Sequence, residues 1–346
     1  MISNSSSKCR TKYNVDTFKI HDSSIRSLCC VGDGAETLSS GSDCAVICFD
    51  NSKSKVSWQI KKAHSSPVNC IMHLSAASHA GRTMEAGLVS GDEDGNLKIW
   101  DTRTTKTSLH IPNLCKDYIS DIALNESKPH EILVSCGDGT LSVVDRRRNK
   151  MVAQSEDQED ELLSVAVMKN GKKVVVGTQE GNILIFSSGK WRDQSDRFPG
   201  HPDSVNTLVA INDDIALSGC SDGVIRLLGI QPNKLLGIIG HHDDFPVEKI
   251  KLSRDKSLLG SISHDNCVKL WDISYILRDE EDDEEGKASS SPSLGGAAKA
   301  PAGKEKSDAA ASPREAKDAR KKSKLKFGKK KATVKKMQRA DFFSGI

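Results

Sequence analysis

Serine, histidine and aspartate recur together along this chain in the combination that a hydrolase uses as nucleophile, base and orienting acid. His64, Ser90 and Asp94 form one such set, and His241 (or its neighbour His242), Ser261 and Asp265 form another. His21, Ser39 and Asp43, and His201, Ser218 and Asp222, repeat the pattern. In a catalytic triad the imidazole takes a proton from the hydroxyl while the carboxylate fixes its tautomer, and one copy is enough. A trio that recurs at a fixed offset points instead to buried polar atoms that satisfy one another within repeated units. The sequence carries no glycine-rich phosphate loop and no solitary nucleophile motif. An enzyme, a cofactor and a small-molecule substrate are therefore not expected.

The ten cysteines are scattered, with no Cys-x-x-Cys pair and no Cys/His spacing of the zinc type, and read as reduced thiols rather than as disulfides or metal ligands. Charge is unevenly placed. Residues 279–346 hold 17 Lys+Arg against 12 Asp+Glu, leaving 33 and 35 for residues 1–278. The body is near neutral, and the basic end carries any question of phosphate binding.

The elements that position these residues show in a repeat. An acidic residue, most often followed by Gly, stands at Asp43, Asp94, Asp138, Glu180, Asp222 and Asp265, at intervals of 51, 44, 42, 42 and 43 residues. Six residues after each stand Phe49, Trp100, Val144, Phe186, Leu228 and Trp271. Between them apolar residues alternate, as in Leu97/Ile99 and Val268/Leu270, which puts one face of a strand inward. Asp94-Gly95, Asp138-Gly139 and Asp222-Gly223 supply tight turns where positive φ is cheap, while Asp43-Cys44 and Asp265-Asn266 depart from that chemistry. A second apolar strand lies upstream of each turn, as in Lys173-Val174-Val175-Val176. Four short strands per repeat predict an all-β propeller over residues 19–278 with six recognisable repeats. Residues 1–18 are too short for another blade and would supply a ring-closing strand.

Leu97-Lys98-Ile99-Trp100-Asp101 and Val268-Lys269-Leu270-Trp271-Asp272 resemble the closing motif of the WD-repeat family, and the resemblance covers about residues 19–272. It implies that His64, Ser90, Asp94 and Trp100, and His241 (or His242), Ser261, Asp265 and Trp271, form buried hydrogen-bonded chains. Further strings, among them Asp160-Glu161-Leu162-Leu163-Ser164-Val165 and Ser195-Asp196-Arg197-Phe198, resemble the family of WD repeat-containing protein fifty-five and its fungal ribosome-biogenesis counterpart. That resemblance implies a scaffold that joins pre-ribosomal factors in ribosomal RNA processing and large-subunit assembly, resident in the nucleus and nucleolus. It also implies one more repeat, seven in all, before the copy that begins at His21. An alternative comes from Trp100, Asp101 and Arg103, which resemble the adaptor-binding box of WD-repeat substrate receptors in cullin-RING ubiquitin ligases.

Residues 279–319 open on a run of Asp and Glu and continue as a low-complexity linker. Residues 320–346 form a basic tail. Between Arg320 and Arg339 there are eleven basic residues and no acidic one, including Lys321, Lys322, Lys329, Lys330, Lys331, Lys335 and Lys336. Such runs serve as a nuclear or nucleolar address or as an RNA-phosphate contact. Asp341, Phe342 and Phe343 then bring two aromatics after a solvated stretch, the composition of a short docking motif. No stretch approaches the ~20 apolar residues of a membrane span.

Overall fold

The structure, a computed structural model, describes residues 16–79, 82–84, 86–277 and 334–336, of which 77–79, 82–84 and 334–336 are described as backbone only. Six four-stranded antiparallel sheets follow one another along the chain as the blades of a propeller. Their innermost strands are Ile25–Val31, Val68–Leu74, Ile119–Leu124, Leu162–Met168, Val205–Ala210 and Val247–Leu252. The long first repeat interval has a simple source. A small hairpin, Ala77–His79 with Arg82–Met84, is inserted between the first and second strands of blade two.

The acidic turns form in all six blades, including the two that depart from Asp-Gly. Cys44 and Asn266 adopt φ of 59° and 55°, close to the 74–81° of Gly95, Gly139, Gly181 and Gly223. The carboxylate compensates for the missing glycine. Asp43 and Asp265 each accept the backbone N–H two residues on, at 3.2 and 2.9 Å, a local bond that holds the turn without help from a neighbour.

The blades pair in one register, and that register builds the ring. The first residue of each inner strand (Ile25, Val68, Ile119, Leu162, Val205, Val247) is followed by a β-bulge on the way to the second strand. The bulge re-aims the strand so that this first aliphatic residue points at the blade before it. There it finds a seat on the second strand, in register with the residue beyond the bulge: Ser40, Gly91, Ser135, Gly177 and Gly219. A Cβ added at Gly91 would come within 2.6 Å of Ile119 Cγ2, and one at Gly177 or Gly219 within 2.7 Å of Val205 or Val247 Cγ1. The seat is small because the knob fills it.

Five junctions of this kind join blades one to six, with each inner strand packed on the next. Blade six does not pack on blade one in this way. In blade one the knob Ile25 and its companion Leu28 are 47% and 58% exposed, whereas Val68, Ile119, Leu162, Val205 and Val247 are fully buried. Across the seam, blade six has Ile262 in place of the small seat residue, in register with Lys249, and Ile262 and Val268 are 45% and 48% exposed. Only near the strand turns do the two blades meet, through an ion pair of Arg254 with Asp33. The ring-closing strand expected from residues 1–18 lies largely outside the described residues, and residues 16–24 carry no strand. The fourth strand of blade six is Val334–Lys336, paired with Val268–Asp272. The rest of the expected linker and tail also lies outside the described residues.

Overfilling a closed seat differs from filling an open one. Gly91→Val is expected to destabilise by about 1–3 kcal/mol through the clash with Ile119. Ile262→Thr on the open seam should stay within about 0.5 kcal/mol of the parent. Urea unfolding followed by tryptophan fluorescence measures both.

Candidate functional site

The recurring polar sets sit at one end of the blades, and the strand register decides which atoms meet. In blade two His64 contacts Ser90 Oγ through Nε2 at 2.7 Å and Asp92 Oδ2 through Nδ1 at 2.8 Å, while Trp100 Nε1 donates to Ser90 Oγ at 2.8 Å. A neutral imidazole protonated on Nδ1 satisfies every contact. Trp100 donates to Ser90, Ser90 to His64, and His64 to Asp92. The acid is thus Asp92 and not the expected Asp94, whose own backbone N–H donates to Asp92 Oδ1 at 3.1 Å. Strand periodicity explains the correction. Residue 92 lies two steps from Ser90 and so faces the same side of the strand, toward His64. Asn96 then holds the carboxylate with its backbone N–H at 2.7 Å and its side-chain amide at 2.9 Å.

Blade six repeats the chain with His242, not His241. His242 bonds Ser261 at 2.7 Å and Asp265 at 2.8 Å, and Trp271 donates to Ser261 at 2.8 Å. His241 is the last residue of the strand Lys234–His241, and its exposed ring accepts the N–H of Asp243 instead. In blade one His21 bonds Ser39 and Asp43 at 2.8 and 2.9 Å, with Phe49 where the Trp would stand. Ser90 and Ser261 are closed off from solvent, so neither hydroxyl can meet a substrate.

Blade five breaks the chain for a definable reason. Lys98 and Lys269 lie opposite Ser90 and Ser261 and donate to the carbonyls of Ala63 and His241, at 2.7 and 3.0 Å. The residue opposite Ser218 is Arg226, whose guanidinium forks onto both oxygens of Asp222. His201 keeps its bond to Ser218 at 2.9 Å, but Asp222 goes to the arginine. Burial, with the Arg226 charge nearby, pushes the His201 pKa down to about 4. Burial also lowers that of His242, against the pull of Asp265. Burial alone would raise Asp92, but the bonds from His64 and Asn96 hold it down at about 2.

At the other end of the third strands, Asp101 accepts the Arg103 backbone N–H at 2.9 Å, Nε at 3.2 Å and Nη2 at 3.1 Å. Asp145 and Arg147 reproduce the fork on the next blade at 2.8, 3.3 and 3.0 Å. This second copy escapes a motif search because Val144 stands where the first has Trp100, yet its Asp-x-Arg spacing is there to be read. Across the centre of the ring, Lys249 on blade six donates to Asp121 on blade three at 3.2 Å. Among the described residues no three His, Cys, Asp or Glu side chains gather to hold a metal, and the nine described cysteines are free. Lys321, Lys322, Lys329, Lys330, Lys331, Asp341, Phe342 and Phe343 lie outside the described residues, and Lys335 and Lys336 are placed only as backbone.

The sequence model of the WDR55 family matches residues 2–276. WD repeat-containing protein 55 of Arabidopsis thaliana is 40% identical over 260 residues, covering 75% of this chain and 70% of that protein. The WD repeat-containing protein 55 homolog of Dictyostelium discoideum is 34% identical over 276 residues, 78% of this chain and 64% of the relative. WD repeat-containing protein JIP5 of Cryptococcus neoformans is 40% identical over 223 residues, 64% of this chain and 57% of the relative. The chain thus spans roughly two thirds of the length of the curated relatives it matches.

The polar chains fix a pH profile. A histidine whose folded pKa is depressed binds its proton more readily when unfolded, so stability is complete above pH ~6.5 and falls as pH drops toward the folded value. His201, at about 4, should cost about 3 kcal/mol over that window. Asp92 adds a second loss as pH falls from ~4 through about 2. Urea midpoints measured from pH 7.5 to 4 should show the first limb, and His201→Gln should flatten it.

Proposed function

The chain belongs to the WDR55 family, and from that premise we propose that it is a non-catalytic scaffold of nucleolar ribosome biogenesis, acting in ribosomal RNA processing and large-subunit assembly. One observation carries the scaffold reading. The groups able to do chemistry, Ser90, His64 and Asp92 and their counterparts, are spent on one another inside the blades. What remains for solvent is a ring of loops on a stiff frame, suited to binding protein partners among pre-ribosomal factors. The ribosomal assignment is supported by the resemblance of strings such as Asp160–Val165, and by the eleven basic residues between Arg320 and Arg339 with no acidic one among them. These would direct the protein to nucleus and nucleolus and touch RNA phosphate there.

Neutralising Lys321, Lys322, Lys329, Lys330 and Lys331 to Gln leaves the strand Val334–Lys336 untouched. The tagged variant is expected to leave the nucleolus and to lose precursor ribosomal RNA on purification, with propeller-bound proteins retained. Unchanged location and RNA would sink the tail assignment.

A second reading, substrate receptor of a cullin-RING ligase, is favoured by the paired Asp101–Arg103 and Asp145–Arg147 forks on adjacent blades. Each Asp orients its Arg at the rim, where an adaptor would read the planar guanidinium. The double change Arg103→Ala and Arg147→Ala should cut adaptor capture at least tenfold with little loss of stability. Capture equal to the parent protein's would remove this reading.

A further inference from the structure

Ile25 and Leu28 on blade one are open, although the residues in the same register on the other five blades are buried against a preceding blade. On blade six Val268 is open, although its counterparts Val46, Leu97, Leu141, Ile183 and Ile225 are buried against a following one. The two open faces are therefore the unmatched halves of an interface that the ring makes five times over. They do not complete each other. Ile262 fills the position where Ser40, Gly91, Ser135, Gly177 and Gly219 leave a seat, so Ile25 has nowhere to enter.

We propose that this seam is the docking site of one further blade, an antiparallel β-sheet supplied by a partner protein and inserted between blades six and one. Continuity with the five existing junctions specifies its chemistry. The face toward blade one carries Gly or Ser opposite Ile25 and accepts Leu28 beside it. The face toward blade six is apolar against Val268, and its innermost strand carries a small residue opposite Ile262 in place of the usual Val, Ile or Leu. The chain brings part of the outer edge itself. Tyr13 and Val15 stand forty-three residues before Val56 and Trp58 of the outer strand Lys55–Ile60, in the register of an outer strand belonging to the inserted blade. Phe18, packed on Phe49 with ring centroids 4.8 Å apart, fixes the start of that lead beside blade one. The partner then needs to contribute three strands. This inference is independent of the ribosomal reading.

Photo-crosslinking in cells tests it on the full chain. A benzophenone amino acid is placed at position 28 in one protein and at position 268 in another, and the crosslinked peptides are identified by mass spectrometry. Both positions are expected to capture the same polypeptide, at residues on opposite faces of one β-sheet. Adding Val268→Arg to the position-28 protein is expected to cut that product at least tenfold without changing its thermal midpoint, because Val268 is exposed. Crosslinks from position 28 to blade six, to residues 1–15 or the tail of the same chain, or to a second copy would overturn the proposal, as would unrelated partners at the two positions or no crosslink at all.

Discussion

Each blade of this propeller is held in place by a single steric fit, an aliphatic side chain on an inner strand entering the space left by Gly or Ser on the blade before. The contact is dense enough that a methyl group on Gly91, Gly177 or Gly219 would have no room. Close packing of this kind gains many small dispersion contacts and tolerates little change in volume on either side. It also explains the bulge after the first residue of every inner strand. Without the extra residue that side chain would follow the ordinary alternation and miss its seat. The polar chains come second in this hierarchy. They tie the His loop, the second strand and the third strand within a blade, whereas the knob and seat join one blade to the next.

Much of this was legible in the residue order. The period of the acidic turns, the alternation after them and the recurrence of Ser, His and Asp gave the propeller and its six blades, because strand parity and turn chemistry are local properties of the sequence. What escaped depended on where a side chain points. Asp92 and Asp94 are equal candidates by spacing, and only strand parity from Ser90 selects the first. His241 and His242 are adjacent, and the end of a strand turns one outward and the other inward. Asp222 sits at the right offset, but the arginine opposite Ser218 takes it from His201. The open seam was invisible because Ile25, Leu28 and Val268 are ordinary apolar strand residues. Their exposure is a property of the neighbours they lack.

The blades also show how one architecture accepts unequal chemistry. Blades two and six have the full Trp-Ser-His-Asp chain, blade one has Phe49 in place of the Trp, and blade three links Ser120 to Ser135 at 2.8 Å without a His. Each satisfies its buried donors with different partners, and the backbone register is unchanged. The invariant of the repeat is therefore volume and strand geometry, while the hydrogen-bonded set varies within them.

The salt bridge from Lys249 to Asp121 takes on a particular meaning in a ring with one unformed junction. A ring that is not closed behaves as a linear array with two ends, and in such an array the terminal units have one neighbour each and loosen first. Blade six is one of those ends, and blade three lies in the middle of the series. A charge pair spanning the hollow ties the end unit to the centre, so opening of blade six alone must also break a contact held by blade three. Cooperativity in this molecule accordingly travels by two routes, around the rim from blade to blade and straight across the bore.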